Sequence, residues 1–79
     1  MMSSQKIKQD NIHIGRNIRE IRLKRKMGQT ELIRQLQLSN VDMTRETLVK
    51  IERGVQHIYA TQLRGIRDAL GTSYDELLK

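Results

Sequence analysis

The sequence predicts an all-α protein, one small domain of five helices, and three observations carry that prediction. Aliphatic residues recur three and four positions apart, as in Ile14, Ile18 and Ile21, which puts them on one side of a helix that advances about 100° per residue. Between such segments stand residues that open or close helices: Gly28, Thr44, Gly54, Gly71 and Ser73. No segment alternates apolar and polar residues for long enough to make a strand.

Each element follows in order. The opening "MMSSQKIKQD" lacks sustained periodicity, so residues 1–11 are expected to be a mobile N-terminal segment, with the domain spanning 12–79. Lys6 and Lys8 of that segment remain within reach of a phosphate. Helix 1 is predicted over 14–26, with Arg16, Arg19, Glu20 and Lys24 away from the isoleucine row and Leu23 opposite it. Gly28 serves as the next N-cap. Helix 2, "QTELIRQLQL" over 29–38, offers Leu32, Ile33 and Leu36, with Leu38 extending the stripe. Ser39 and Asn40 form a turn, after which Val41 and Met43 fold back onto the core. Helix 3 opens at the N-cap Thr44 and stops near Gly54, and "VQHIY" reads as a loop. Leu63, Ile66, Ala69 and Leu70 define helix 4 over 61–70. A Ser73/Glu76 capping box then starts helix 5 at Tyr74.

Composition restricts what such a domain does. Within 79 residues there is little room for a deep catalytic cleft. Fifteen Lys plus Arg against nine Asp plus Glu leave a formal charge of +6, which favours a polyanionic partner, either nucleic acid or an anionic membrane surface. A helix lying on a membrane wants aromatic anchors, and Tyr59 and Tyr74 are the sole aromatics. The chain has no cysteine, no secretory h-region and no apolar run of the roughly 18 residues that span a bilayer. The expectation is a soluble, cytoplasmic protein. His13 and His57 stand 44 positions apart without a cysteine to join them, so neither metal nor cofactor is expected. With no nucleophile or acid-base constellation and no phosphate-binding glycine loop, an enzyme is not expected either.

The stretch "TRETLVKIERG" at 44–54 poses the functional question. As a helix it turns Leu48 and Ile51 to one side with Thr44 near them, and Arg45, Glu46, Val49, Lys50 and Arg53 to the other. That outer face is either a solvated surface or one built to touch a partner, and Glu46 also suits the positive end of the helix dipole. Two short helices followed by a third with a basic outer face make a helix-turn-helix arrangement.

The segments "IREIRLKRKMGQTEL", "ETLVKIERG" and "LRGIRDALGTSYDELL" resemble the Cro and phage-repressor type of DNA-binding domain, the XRE family, over residues 14–78. The most specific element is "KIERG" closing helix 3, supported by Arg22 in "REIR" and by Gln29 opening helix 2. The resemblance implies a five-helix lambda-repressor-like fold in which residues 29–36 position the recognition helix, 44–53, in the major groove. It implies that Arg45 and Lys50 donate to guanine O6 and N7, that Val49 meets a thymine methyl, and that Glu46 accepts from cytosine N4. Gln29, Thr44 and Arg53 fit phosphate contacts, and Glu52 is implied to pair with Arg22.

Departures from the family pattern are specific. Leu36 and Leu48 are twelve positions apart, about five more than a turn of three or four residues requires, so the turn between helices 2 and 3 is lengthened. Ile33 and Arg67 stand where alanines are usual, and Ile58 where proline is. The expected function is a sequence-specific, double-stranded DNA-binding transcriptional regulator, a repressor. The alternative is a helix-turn-helix antitoxin or protein-interaction module. Expected partners are duplex DNA and a second copy of the chain, with Tyr74, Leu77 and Leu78 near the dimer contact. No small-molecule ligand is evident.

Overall fold

The computed structural model describes residues 5–79. Within them lie five helices and a two-stranded sheet: β1 (Lys6–Ile7), α1 (Ile14–Lys24), α2 (Gln29–Leu38), α3 (Arg45–Glu52), β2 (Ile58–Tyr59), α4 (Ala60–Leu70) and α5 (Tyr74–Leu77). The protein is mostly helical, and the rows read from spacing meet in one core. Ile14, Ile18 and Ile21 from α1, Leu32, Ile33 and Leu36 from α2, Leu48 and Ile51 from α3, Leu63, Ile66 and Leu70 from α4, and Leu77 from α5 are all buried. α3 packs between α1 and α2, while α4 covers α2 and α5 lies on α1. Among the described residues no helix is long and apolar enough to cross a membrane.

Local chemistry sets the helix ends. Thr44 Oγ1 accepts from the Thr47 amide at 3.2 Å and Ser73 Oγ from the Glu76 amide at 3.2 Å, each satisfying a donor that the first helical turn leaves free. At the other end of α3, Gly54 takes φ +78°. From there the Gly54 and Val55 amides return to the carbonyls of Ile51 and Lys50, the paired closure that a left-handed residue makes possible.

Five sequence expectations change. α1 ends at Lys24 rather than 26, because Lys26 adopts φ +57° and the Met27 amide turns back to the Arg22 carbonyl. A lysine here does what glycine usually does, which composition does not reveal. Leu38 is 73 % exposed, since the last turn of α2 runs past the edge of the core. The segment "VQHIY" contains a strand, not only a loop, and residues 5–9 are tied to the domain rather than leading freely into it. Lys6 pairs with Tyr59 and Ile7 with Ile58 in an antiparallel ladder. Two residues per strand are too few to leave an alternation in the sequence, although Ile7 packs against the core and Ile58 is fully buried. Residues 1–4 of the expected mobile segment lie outside the described residues. Finally, Leu77 is buried, leaving Tyr74 and Leu78 as the exposed apolar side chains at that end.

The lengthened connection is housed compactly. Asn40 takes φ +61° and the Val41 amide reaches back to the Leu36 carbonyl at 2.8 Å. Val41 then packs over α4 at Gly65, where an added Cβ would stand 2.8 Å from Val41 Cγ2, and Met43 enters the core at 3 % exposure.

A tighter approach occurs between α1 and α3. A Cβ at Gly15 would overlap the carbonyl oxygen of Ile51, so the two backbones touch where no side chain fits. Gln9 bridges the same junction: its Oε1 accepts from the Gly15 amide at 2.7 Å, and its Nε2 donates to the Ile51 carbonyl at 3.0 Å and the Gln56 carbonyl at 2.7 Å. Gly15→Ala is therefore expected to lower unfolding free energy by about 3 kcal/mol, the upper part of the range for overpacking, because the obstacle is backbone. Gly28→Ala, which meets no atom within 4 Å, is expected to stay within about 1 kcal/mol. Urea denaturation of the two variants checks the difference.

Candidate nucleic-acid interface

The outer face of α3 is built from the inside. Leu48 and Ile51 are completely buried, and that sets which side of the helix faces the core. Arg45, Glu46, Lys50 and Arg53 consequently emerge exposed, with Val49 half-buried among them. Thr44 is exposed as well, but its hydroxyl is engaged, donating to Thr47 Oγ1 at 3.1 Å while accepting from the Thr47 amide.

Among the described residues, the side chains of Arg45, Glu46, Lys50 and Arg53 make no hydrogen bond or ion pair. Several cations elsewhere are engaged. Arg34 is bound to Glu31 at 2.8 Å, Arg67 to Asp68 at 2.8 Å and Lys79 to Glu76 at 3.3 Å. Hydrogen bonds from Gln35 and then Arg34 hold the Glu31 carboxyl below its ordinary pKa. Arg25 caps the end of α4, donating to the Leu70 and Gly71 carbonyls at 2.8 and 3.2 Å. α3 thus carries three uncommitted cations, the donor type that meets phosphate oxygens and guanine edges.

Behind this face lies a buried polar junction. Arg22 Nε donates to Glu52 Oε2 at 2.8 Å and its Nη2 to Oε1 at 2.9 Å, a bidentate pair with side-chain exposures of 7 % and 3 %. The remaining Arg22 nitrogen, Nη1, donates to the Met27 carbonyl at 2.9 Å. Gln29 joins from α2, its Nε2 donating to Glu52 Oε1 at 3.1 Å. Among the described residues no buried side-chain nitrogen or oxygen lacks a partner.

The structure therefore brings Arg22, Gln29 and Glu52 into one network and gathers Arg45, Glu46, Val49, Lys50 and Arg53 on one face, with Thr44 at its head. Gln29, read from sequence as a phosphate contact, is half-buried and shares one amide hydrogen with Glu52; the other amide hydrogen remains. Sequence reasoning missed Gln9 and Gly15. A glycine inside an amphipathic helix does signal close backbone approach, because helices otherwise disfavour it. Gln9 gave no signal, as its partner Ile51 lies 42 positions away.

The histidines stay apart in function. His57 Nδ1 accepts from the Gln9 amide at 3.1 Å, and among the described residues no three His, Cys, Asp or Glu side chains gather as metal ligands do. A shallow groove of about 730 Å³ opens between residues 39–42 and α4, its lining mixing Asp42 and Asp68 with Arg64 and Tyr59.

Removing one partner of the buried pair leaves the other charge uncompensated. Glu52→Ala and Arg22→Ala are each expected to cost about 3 kcal/mol or more, and the double variant distinctly less than their sum. A thermodynamic cycle from denaturant unfolding checks this; strict additivity would mean that the two groups do not act as a pair.

No family model matches the chain, and no curated protein and no solved structure matches it.

Proposed function

We propose that the protein is a sequence-specific, double-stranded DNA-binding transcriptional regulator that lays α3 in the major groove. One observation carries the reading: Arg45, Lys50 and Arg53 project, exposed and unpaired, from a helix whose inner side is anchored by Leu48, Ile51 and the buried Glu52. Rigid support matters because a bidentate base contact discriminates only if the side chain's root is held. The resemblance of residues 14–78 to the XRE family, with its lambda-repressor-like helix-turn-helix, supports the same assignment.

In this reading Arg45 and Lys50 donate to guanine, Val49 packs on a thymine methyl, and Glu46 accepts from cytosine N4. Arg53, the amide groups that open α3 at Thr44, and the free amide hydrogen of Gln29 hold phosphates. Repression follows from occupying the operator. A second copy, related by a two-fold axis, presents its own α3 about 34 Å away, one turn of duplex. Sedimentation of the protein on its selected DNA site is expected to give two chains per site; a single chain would remove the dimer from the proposal.

The decisive experiment separates reading from holding. Truncating a base-reading side chain costs about 1 to 3 kcal/mol and relaxes preference at one base pair. Losing a charged phosphate contact weakens all duplexes alike and reduces the log-log salt slope by about one unit. Arg45→Ala and Lys50→Ala are expected to change the sequence selected from a random duplex pool. Arg53→Ala is expected to reduce the slope without changing preference, and Gln29→Ala to weaken binding at nearly unchanged slope. Equal losses on preferred and scrambled duplexes for Arg45→Ala and Lys50→Ala would make α3 a backbone binder only. Absence of salt-dependent duplex binding would transfer the fold to the antitoxin or protein-interaction class, although the charged outer face of α3 offers no contiguous apolar patch for such a partner.

A further inference from the structure

Lys6 of β1 and Lys8 just beyond it are unused by this assignment. Lys6 and Lys8 are exposed while Ile7 and Gln9 between and beyond them turn inward, the alternation of a strand with one face on the core. Among the described residues neither lysine has an ion pair or side-chain hydrogen bond. Asp10, next on the same face, is turned back onto the Asn11 amide at 2.7 Å.

What distinguishes these lysines from a flexible basic tail is their anchorage. β1 is paired to β2 through Lys6 with Tyr59 and Ile7 with Ile58, and the Gln5 carbonyl accepts from the Ala60 amide at 2.7 Å. Gln9 adds bonds to Gly15, Ile51, Gln56 and His57. Through Ile51 and Gln56 this anchorage places Gln9, the residue after Lys8, at the C-terminal end of α3, the end at which Arg53 stands.

That placement has a consequence for DNA. In the proposed docking Arg45 and Lys50, towards the start of α3, meet bases while Arg53 at its end meets phosphate, so whatever lies beside the C-terminal end of α3 meets the rim of the groove. Side chains two apart on a strand are about 6.6 Å from one another, the order of the step between successive phosphates on one strand. We infer that β1 and the residues just after it are a preformed phosphate strip: Lys6 and Lys8 continue from Arg53 along one backbone at the groove rim. Because the hydrogen bonds already order the strand, binding incurs little of the backbone entropy cost that a disordered arm incurs.

This inference rests on the DNA-binding reading, and the experiment separates the two. Duplex affinity is measured across salt for the wild type, for Lys6→Ala/Lys8→Ala, and for a charge-matched control, Lys24→Ala/Lys79→Ala. Lys24 lies on the side of α1 turned from Gly15 and Arg22, and Lys79 is beyond α5. At about 0.9 units per phosphate, the β1 variant is expected to lose about two units of slope, equally on preferred and scrambled duplexes. Its selected sequence and unfolding midpoint should stay unchanged, and the control should keep the wild-type slope. A β1 variant with the wild-type slope overturns the strip while leaving the α3 assignment standing. Equal slope losses in the β1 variant and the control also overturn it, assigning the effect to net charge. A wild type that binds no duplex removes both proposals.

Discussion

One carboxylate organises the face this protein presents. Glu52 receives three hydrogen bonds, two from Arg22 on α1 and one from Gln29 on α2, so its position in the last turn of α3 makes it the point at which three helices share one group. Arg22 extends the network to the Met27 carbonyl in the α1–α2 turn. Rotating α3 about its axis would carry Glu52 out of the guanidinium's plane and leave a charge buried without its counterpart. The rotation of α3, and hence the set of residues that look outward, is tied to this junction.

Orientation and stability have different sources here. A buried ion pair contributes little net free energy, since desolvation offsets most of its attraction. Leu48 and Ile51, each completely buried, contribute roughly 1.5–3 kcal/mol apiece by leaving water. Apolar burial therefore holds α3 on the core, whereas the directional hydrogen bonds of Arg22 choose among the rotations that burial alone would tolerate. The contact of Gly15 with the Ile51 carbonyl narrows the choice further, because only the absence of a side chain lets α1 come that close.

The lengthened link between α2 and α3 shows how extra residues are absorbed without loosening this arrangement. Asn40 reverses the chain in the left-handed region, Val41 settles over Gly65, and Met43 reaches the core before Thr44 starts α3. Of the extra chain, Ser39, Asn40 and Asp42 remain in water. Large Ile33 is accommodated in the core at 7 % exposure, and Arg67 lies over the ring of Tyr74 with its guanidinium carbon 4.6 Å from the centroid.

Sequence by itself determined the five helices, the caps at Gly28, Thr44, Gly54, Gly71 and Ser73, and nearly all of the helical core residues, because three-and-four spacing and capping chemistry are local and survive in a single chain. It also determined which residues share the outer face of α3, since one angle per residue decides that. The Arg22–Glu52 pair was legible only through family resemblance, as no spacing rule links positions 30 apart. The tertiary structure alone decided what depends on distant partners: Gln9 spanning 42 positions to Ile51, Gln29 diverted to Glu52, Leu38 left in water, and a two-residue ladder drawing the N-terminal segment onto β2. Such contacts are made by groups whose residue types are common everywhere in soluble chains, and they acquire a role only when packing of the helices brings their partners within hydrogen-bonding distance.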